Sequence, residues 1–264
     1  MLRSLTRFRP ESALGFLLRV PLRLIPKTYV ATVRTGINEG AKWVVGTSTH
    51  GLWLGTYEHE MQEMVSKLVT KGGVVWDVGA NAGFYTLALS RLVGASGTVC
   101  AFEPFAENVN NLMRHVRINH LNNTKVIQAA LGKETELASF EIGDLNSTGH
   151  LSNNATSYFV PVLSIDDFLA RFPELTPKLI KIDVEGAESA VLAGAKTLLT
   201  QHGPEILLAL HGDTQMKACQ KILTSQGYTL FSLSGSKIKG PLIEHDEIYA
   251  TREPDAQADK AKRT

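Results

Sequence analysis

Apolar positions change period along this chain, and the changes mark its elements. Met61, Met64, Val65, Leu68 and Val69 recur at helical spacing, which predicts a helix over 58–69. Val74–Val78 then reads as a continuous apolar strand, Phe84–Leu92 as a helix, Thr98–Phe102 as a strand and Ala106–Ile118 as a helix, followed by a strand at Lys125–Gln128. The same rhythm resumes with a helix from Ser164 to Leu169, a strand at Leu179–Val184, a helix at Ala187–Gln201 and a strand at Glu205–Leu210. A helix over Asp213–Gln226 and strands at Thr229–Ser232 and Glu247–Ala250 close the pattern. Strands alternating with helices of about ten to fifteen residues predict βαβ units and a mostly parallel sheet.

Two stretches break the rhythm. Lys42–Gly46 and Gly51–Tyr57 are short β-like runs around a Thr-Ser-Thr-His-Gly turn, which predicts a hairpin. Ala138–Ile142 and Tyr158–Val162 flank a polar stretch, which predicts an antiparallel pair around a loop from Gly143 to Ser157. Loops of that length inside a compact domain are often functional.

Composition narrows the class. A chain of 264 residues buries a large core without a disulfide or metal staple. A net charge of +1 argues against a dedicated nucleic-acid binder. Cys100 and Cys219 lack metal-type spacing and read as reduced core residues of a cytoplasmic protein. No stretch reaches the ~18 consecutive apolar residues of a membrane span, and no cleavage site follows an uninterrupted apolar run.

The charge is unevenly spread. Residues 1–45 hold eight basic and two acidic residues, a local +6 that leaves −5 for the rest. Pro10, Pro21 and Pro26 break any long amphipathic helix there. The segment reads as a basic extension packed on the domain, with a weak membrane-surface contact through residues 1–40 as the competing reading. The expected division is 1–54, a helical extension with a short β-hairpin; 55–251, one catalytic domain; and 252–264, a polar disordered tail.

The strongest local feature is Val74-Val75-Trp76-Asp77-Val78-Gly79-Ala80-Asn81-Ala82-Gly83-Phe84-Tyr85-Thr86. A strand runs into a glycine-rich turn and then a helix, at the sheet edge where ligands of open α/β folds bind. Glu103 ends the next strand, where an acid can accept hydrogen bonds from ribose hydroxyls. Together these predict an adenosine-containing ligand. The spacing is D-x-G-x-x-x-G rather than the G-x-G-x-x-G of a dinucleotide cradle. An anion at Asp77 repels a diphosphate and suits S-adenosylmethionine, which carries an ammonium and a sulfonium.

A second cluster, Lys181-Ile182-Asp183-Val184-Glu185-Gly186-Ala187-Glu188, stands over the same crevice. Asp183 is the expected acceptor-orienting group or general base, with Glu185 beside it. The competing reading has both capping the following helix, where Glu188 reads as structural. His211, after Glu205–Leu210, is the runner-up base. It would be the third member of an oxygen/nitrogen metal set with Asp183 and Glu185, but the expected metal is none.

These residues carry a resemblance. Asp77–Thr86, Ala101-Phe102-Glu103-Pro104, Ala129-Ala130-Leu131-Gly132, Val162–Asp167, Lys181–Glu188 and Asp246–Ala250 resemble the FkbM-type family of S-adenosylmethionine-dependent methyltransferases. The resemblance covers about residues 55 to 250. It implies an α/β fold of the Rossmann-like class I methyltransferase type. The sheet would be seven-stranded and mostly parallel, of order 3-2-1-4-5-7-6, with the last strand antiparallel and helices on both faces. It implies cofactor contacts at Asp77, Gly79, Ala80, Asn81, Gly83 and Glu103, with Asn81 facing the methionine part. The helix opening with Tyr85 and Thr86 would close under it, and Tyr57 and Glu58 would form a lead-in folding over it. Family members mostly methylate hydroxyl oxygens, which makes the expected partner a sugar, glycan or polyketide-type acceptor. Ala209-Leu210-His211-Gly212 departs from the expected pattern, because an acid should precede the histidine. Two other readings stay open: a non-catalytic glycan-binding or membrane-surface module, and a nicotinamide-dependent oxidoreductase.

Overall fold

The computed structural model describes residues 24–142, 149–151, 158–242 and 246–252. Residues 1–23, which carry most of the membrane-contact reading, and the tail from residue 253 lie outside the described residues.

The first half of the chain runs β1 (Val30–Thr32), β2 (Lys42–Val44), α1 (His50–Leu54), α2 (His59–Leu68), β3 (Val74–Val78), α3 (Phe84–Val93), β4 (Thr98–Phe102), α4 (Ala106–Ile118) and β5 (Thr124–Ile127). It continues with β6 (Ala130–Gly132), β7 (Glu136–Ile142), β8 (Gly149–Leu151), β9 (Phe159–Ser164), α5 (Ile165–Arg171), β10 (Leu179–Ile182), α6 (Glu188–Ala193) and α7 (Lys196–Gln201). It ends with β11 (Glu205–Ala209), α8 (Asp213–Ser225), β12 (Thr229–Ser232) and β13 (Glu247–Thr251).

A seven-stranded sheet of order β12-β13-β11-β10-β3-β4-β5 forms the centre, and β13 runs antiparallel to both its neighbours. Counted from β3 as the first strand and read from the β5 edge, this is the expected 3-2-1-4-5-7-6. The strands are apolar because both faces are covered, and their period of two divides them between two cores. Trp76, Cys100, Ile180, Ile182 and Leu208 pack under α5 to α8. Val75, Val99, Leu179, Leu207 and Tyr249 pack on the opposite face, under α2 and α3.

The described part of the N-terminal extension belongs to that second core. Trp43 is fully buried and stacks on His115 of α4 with ring centroids 3.9 Å apart. Asn38 donates to the Phe84 carbonyl at 2.8 Å. The expected strand at Gly51–Tyr57 is instead the helix α1, and β2 pairs with β1, Val30 opposite Val44. Leu52, Trp53 and Leu54 are all buried. Gly55 follows at φ +79°, packed so closely on the Thr35 carbonyl that a Cβ would stand 1.8 Å from its oxygen, and its amide closes the turn onto the Leu52 carbonyl at 3.3 Å.

The expected pair at 138–162 is present, with Ala138 opposite Val160, in a four-stranded sheet of order β6-β9-β7-β8. β8 lies inside the segment read as one polar loop, whose residues 143–148 and 152–157 lie outside the described residues. The helix expected over 187–201 is two helices. A Cβ on Gly194 would stand 2.0 Å from the Gly132 carbonyl oxygen, so β6 crosses where the helix would have continued.

Candidate functional site

The site begins where β3 stops. The amides of Gly79 and Ala80 both donate to the Phe102 carbonyl, each at 3.0 Å, which folds the turn against the end of β4. Gly79 has φ +80°, and a Cβ there would stand 1.8 Å from the Asp183 carbonyl oxygen. The first motif is glycine-rich partly because the second motif passes directly over it. Gly83 caps α3 at φ +94°, against Leu112 of α4.

Glu103 is buried, and three donors converge on its carboxylate. Oε2 accepts the Asn81 amide at 2.8 Å. Oε1 accepts the Phe105 amide at 3.0 Å and the Asn108 side chain at 3.3 Å. Burial raises its pKa and these donors oppose the rise. A carboxylate offers about four acceptor positions, so capacity remains for a ligand hydroxyl.

Asp77 and Lys181 are opposed across β3 and β10, so both side chains lie on the face covered by α3. Asp77 is buried; Oδ2 accepts from Thr86 Oγ1 at 2.6 Å, and Oδ1 has no partner among the described residues. Burial raises its pKa, against the opposing pull of Lys181 and Thr86. Lys181 Nζ lies 3.0 Å from Asp183 Oδ2 and 4.6 Å from the centroid of the Tyr85 ring. Burial lowers the Lys181 pKa, but Asp183, Asp77 and Glu58 outweigh it and the net shift is upward. Asp183 moves the other way: burial pushes its carboxyl up, and Lys181 pulls it further down.

His211 stands among three acids. Nδ1 is 2.7 Å from Glu188 Oε1, and Nε2 is 3.6 Å from Glu185 and 3.9 Å from Asp183. The bond to Glu188 raises its pKa to about 9, with partial burial opposing and the nearby acids helping. Ligand atoms of Asp183, Glu185 and His211 all lie within 4.8 Å of one another, a spacing a divalent cation could also accept.

Two adjoining cavities result. The first, about 280 Å³, runs from Glu103 and the apolar wall of Phe105, Phe140 and Leu131 to Asp77, Asp183 and Glu185. The second, about 810 Å³, opens from there past His211 to Glu58 and Glu247. Tyr57, Asp183 and Glu185 line both.

Of the residues expected at a cofactor, Tyr57, Asp77, Gly79, Ala80, Asn81, Tyr85 and Glu103 line the first cavity. Gly83 and Thr86 do not: one packs on Leu112, and the other is buried beneath Asp77. Glu58 lines the second cavity and accepts the Tyr85 hydroxyl at 2.8 Å. The Asn81 side chain turns back on its own loop, with Oδ1 accepting the Ala82 amide at 2.6 Å.

Two acids inside the matched stretches were assigned no role in the site. Glu188, read as structural, is fully buried and holds His211. Glu247, in the Asp246–Ala250 stretch read only as the last strand, opens β13 across from Ala209. An acid at a strand end was the available signal, but nothing local distinguishes it from a surface residue.

Known proteins resemble the chain in the same region. Residues 77–230 match the methyltransferase FkbM domain. The chain is 28% identical over 141 residues to Methyltransferase 1 of Beauveria bassiana, covering 45% of the chain and 56% of that relative. It is 24% identical over 169 residues to the hexuronic acid methyltransferase AglP of Haloferax volcanii, covering 63% and 68%. It shares the fold of the crystallised methyltransferase FkbM of Methylobacillus flagellatus, with TM-score 0.50 and 20% identity over 71% of this chain and 47% of that one. The chain therefore spans about half the length of two of these three relatives.

Proposed function

The chain belongs to the FkbM methyltransferase family, and from that premise we propose that it methylates a hydroxyl oxygen of a sugar, glycan or polyketide-type acceptor with S-adenosylmethionine. One observation carries the reading. A buried ribose-type carboxylate and an apolar wall occupy one end of the first cavity, carboxylates occupy the other, and an open second cavity begins there.

The residues fit the cofactor's charge pattern. Glu103 would take a ribose hydroxyl, and Phe105, Phe140 and Leu131 would flank the base. Asp77, whose buried Oδ1 has no partner among the described residues, would face the cationic end. A diphosphate would meet carboxylates in place of a cradle of amides, which disfavours the nicotinamide reading. When bound, the cofactor supplies an electrophilic methyl on sulfur. Asp183, locked to Lys181 and shared by both cavities, would orient the acceptor oxygen for in-line attack.

The similarity to a hexuronic acid methyltransferase supports a sugar acceptor. The lining of the second cavity refines this, because Glu58, Glu60, Asp183, Glu185, Asp246 and Glu247 would repel a uronate. An uncharged or amino-bearing sugar fits better. Calorimetry with S-adenosylhomocysteine tests the premise: saturable binding is expected, and no binding, or tighter binding of a nicotinamide dinucleotide, would discard it.

A further inference from the structure

One row of residues along the carboxyl edge of the central sheet holds two carboxyls with a gap between them. Ile182, the last residue of β10, is opposite Leu208, so Asp183 is level with Ala209. Ala209 in turn is opposite Glu247. Opposed residues on neighbouring strands project from the same face. The row Asp183–Ala209–Glu247 therefore has only a methyl group at its centre. Two strand spacings put its outer residues roughly 10 Å apart, which is room for one hydroxyl-bearing carbon between two carboxyls. Both acids line the second cavity.

The two carboxyls are not equivalent. Asp183 is committed to Lys181 at 3.0 Å. Glu247 is half-buried, and among the described residues no hydrogen bond reaches its carboxyl. On this basis, and resting on the methyl-transfer reading, we propose that Glu247 takes the proton of the acceptor hydroxyl. As the acceptor O–H bond breaks, its proton goes to the Glu247 carboxylate. The oxygen gains the methyl group as the carbon–sulfur bond of the sulfonium breaks. The products are a methyl ether, a thioether and a neutral carboxyl that returns its proton to water in the open cavity.

The electrostatics agree with the geometry. Burial, then Glu58, raise the Glu247 carboxyl to about 7; Lys181 opposes, and Asp183 and Glu60 add to the rise. Tyr57 and Tyr85 also feel its charge, and Glu185, Asp246 and His211 share its cavity. On the β12 side the cavity is lined by Ser232, Leu233 and Ser234, which carry no charge. Paired carboxyls with pKa values pushed apart in this way mark a division of acid–base labour. His211 does not compete for the role, since Glu188 keeps it protonated up to about pH 9.

The test uses the full chain, methyl-labelled S-adenosylmethionine, and the methyl glycosides of glucose, glucosamine and glucuronic acid as probe acceptors. Glu247→Gln should bind S-adenosylhomocysteine as the wild type does and lose at least ~10²-fold in turnover. The wild-type rise of kcat/KM with pH, half complete near 7, should be missing from that variant. Asp183→Asn should also be slow but should keep that rise. Infrared titration of protein labelled at glutamate carboxyls should show a group titrating near 7 that Glu247→Gln lacks. Turnover of Glu247→Gln within about two-fold of wild type, or an unmoved pH profile, would overturn the assignment while leaving methyl transfer intact. Absent S-adenosylhomocysteine binding, or no methylation of any probe by the wild type, would instead bring down the methyl-transfer reading and this inference with it.

Discussion

The two cavities meet at Asp183 but are built on opposite principles. In the first, the two acids that do not also line the second are buried and engaged: Glu103 by three donors, Asp77 by Thr86 with Lys181 opposite. In the second, Glu185 and His211 are partly open to solvent, and the acids outnumber their partners. A closed cavity with satisfied donors is preorganised for one shape, whereas an open one with surplus carboxylates is suited to proton traffic. The difference teaches that cofactor affinity should depend on packing, and turnover on titration.

The sharpest way to break this contrast is to spoil the closed side. Gly79→Ala forces a Cβ to 1.8 Å from the Asp183 carbonyl oxygen at a positive φ. The expected cost is about 4 kcal/mol of folding stability, read as a collapse in thermal midpoint and loss of S-adenosylhomocysteine binding. A variant that melts and binds like wild type would show that the two motifs do not touch as described.

Next in size is the floor of the closed side. His115 Nε2 accepts the Val44 amide at 3.0 Å, so Nδ1 carries the hydrogen and donates to the Ala82 carbonyl at 2.7 Å. Burial lowers its pKa to about 4, with the Ala82 bond opposing and Arg114 contributing. A histidine buried in its neutral form costs nothing above pH 6.5. Below that, the unfolded chain takes up a proton that the fold refuses until about pH 4. Stability should fall by about 3 kcal/mol across this window. Urea unfolding at stepped pH checks it, and His115→Gln, less stable at neutral pH, should flatten the slope. An equal slope in both proteins would exclude His115 as the cause.

The smallest effect belongs to the open side. The raised His211 pKa contributes stability that is full below pH 6.5 and lost as pH rises through about 9. Its ring is 36% exposed, so solvent screening keeps the contribution modest. Glu188→Gln should bring the His211 titration, followed by proton NMR, back toward the ordinary histidine value. An unmoved midpoint would mean that Glu185 and Asp183, rather than Glu188, hold the proton.

Much of the first cavity was legible in sequence because its parts are local. Asp77, Gly79 and Asn81 lie within one turn, and Glu103 closes the very next strand, so spacing alone implied their meeting. Thr86 and Gly83 show where such reading overreaches, since adjacency in sequence did not say which groups face the cavity and which support it from behind. The second cavity was largely illegible. Glu188 looked like an ordinary helix acid until His211, from the turn after β11, came to rest 2.7 Å away. Glu247 gained its place only because β13 enters antiparallel beside β11.

The sheet order came only through the family resemblance; by itself, the sequence determined the alternation of strands and helices and the placement of Asp77 in the glycine-rich turn, with Glu103 one strand on. Those depend on hydrophobic period and on contacts between neighbours in the chain. Tertiary structure alone decided that residues 52–54 coil rather than extend. It also decided that the basic extension's Trp43 seals one core, and that Glu247 faces Asp183 across the small side chain of Ala209. Burial, and the pKa values it shifts, depend on what packs from a distance, and no local pattern encodes that.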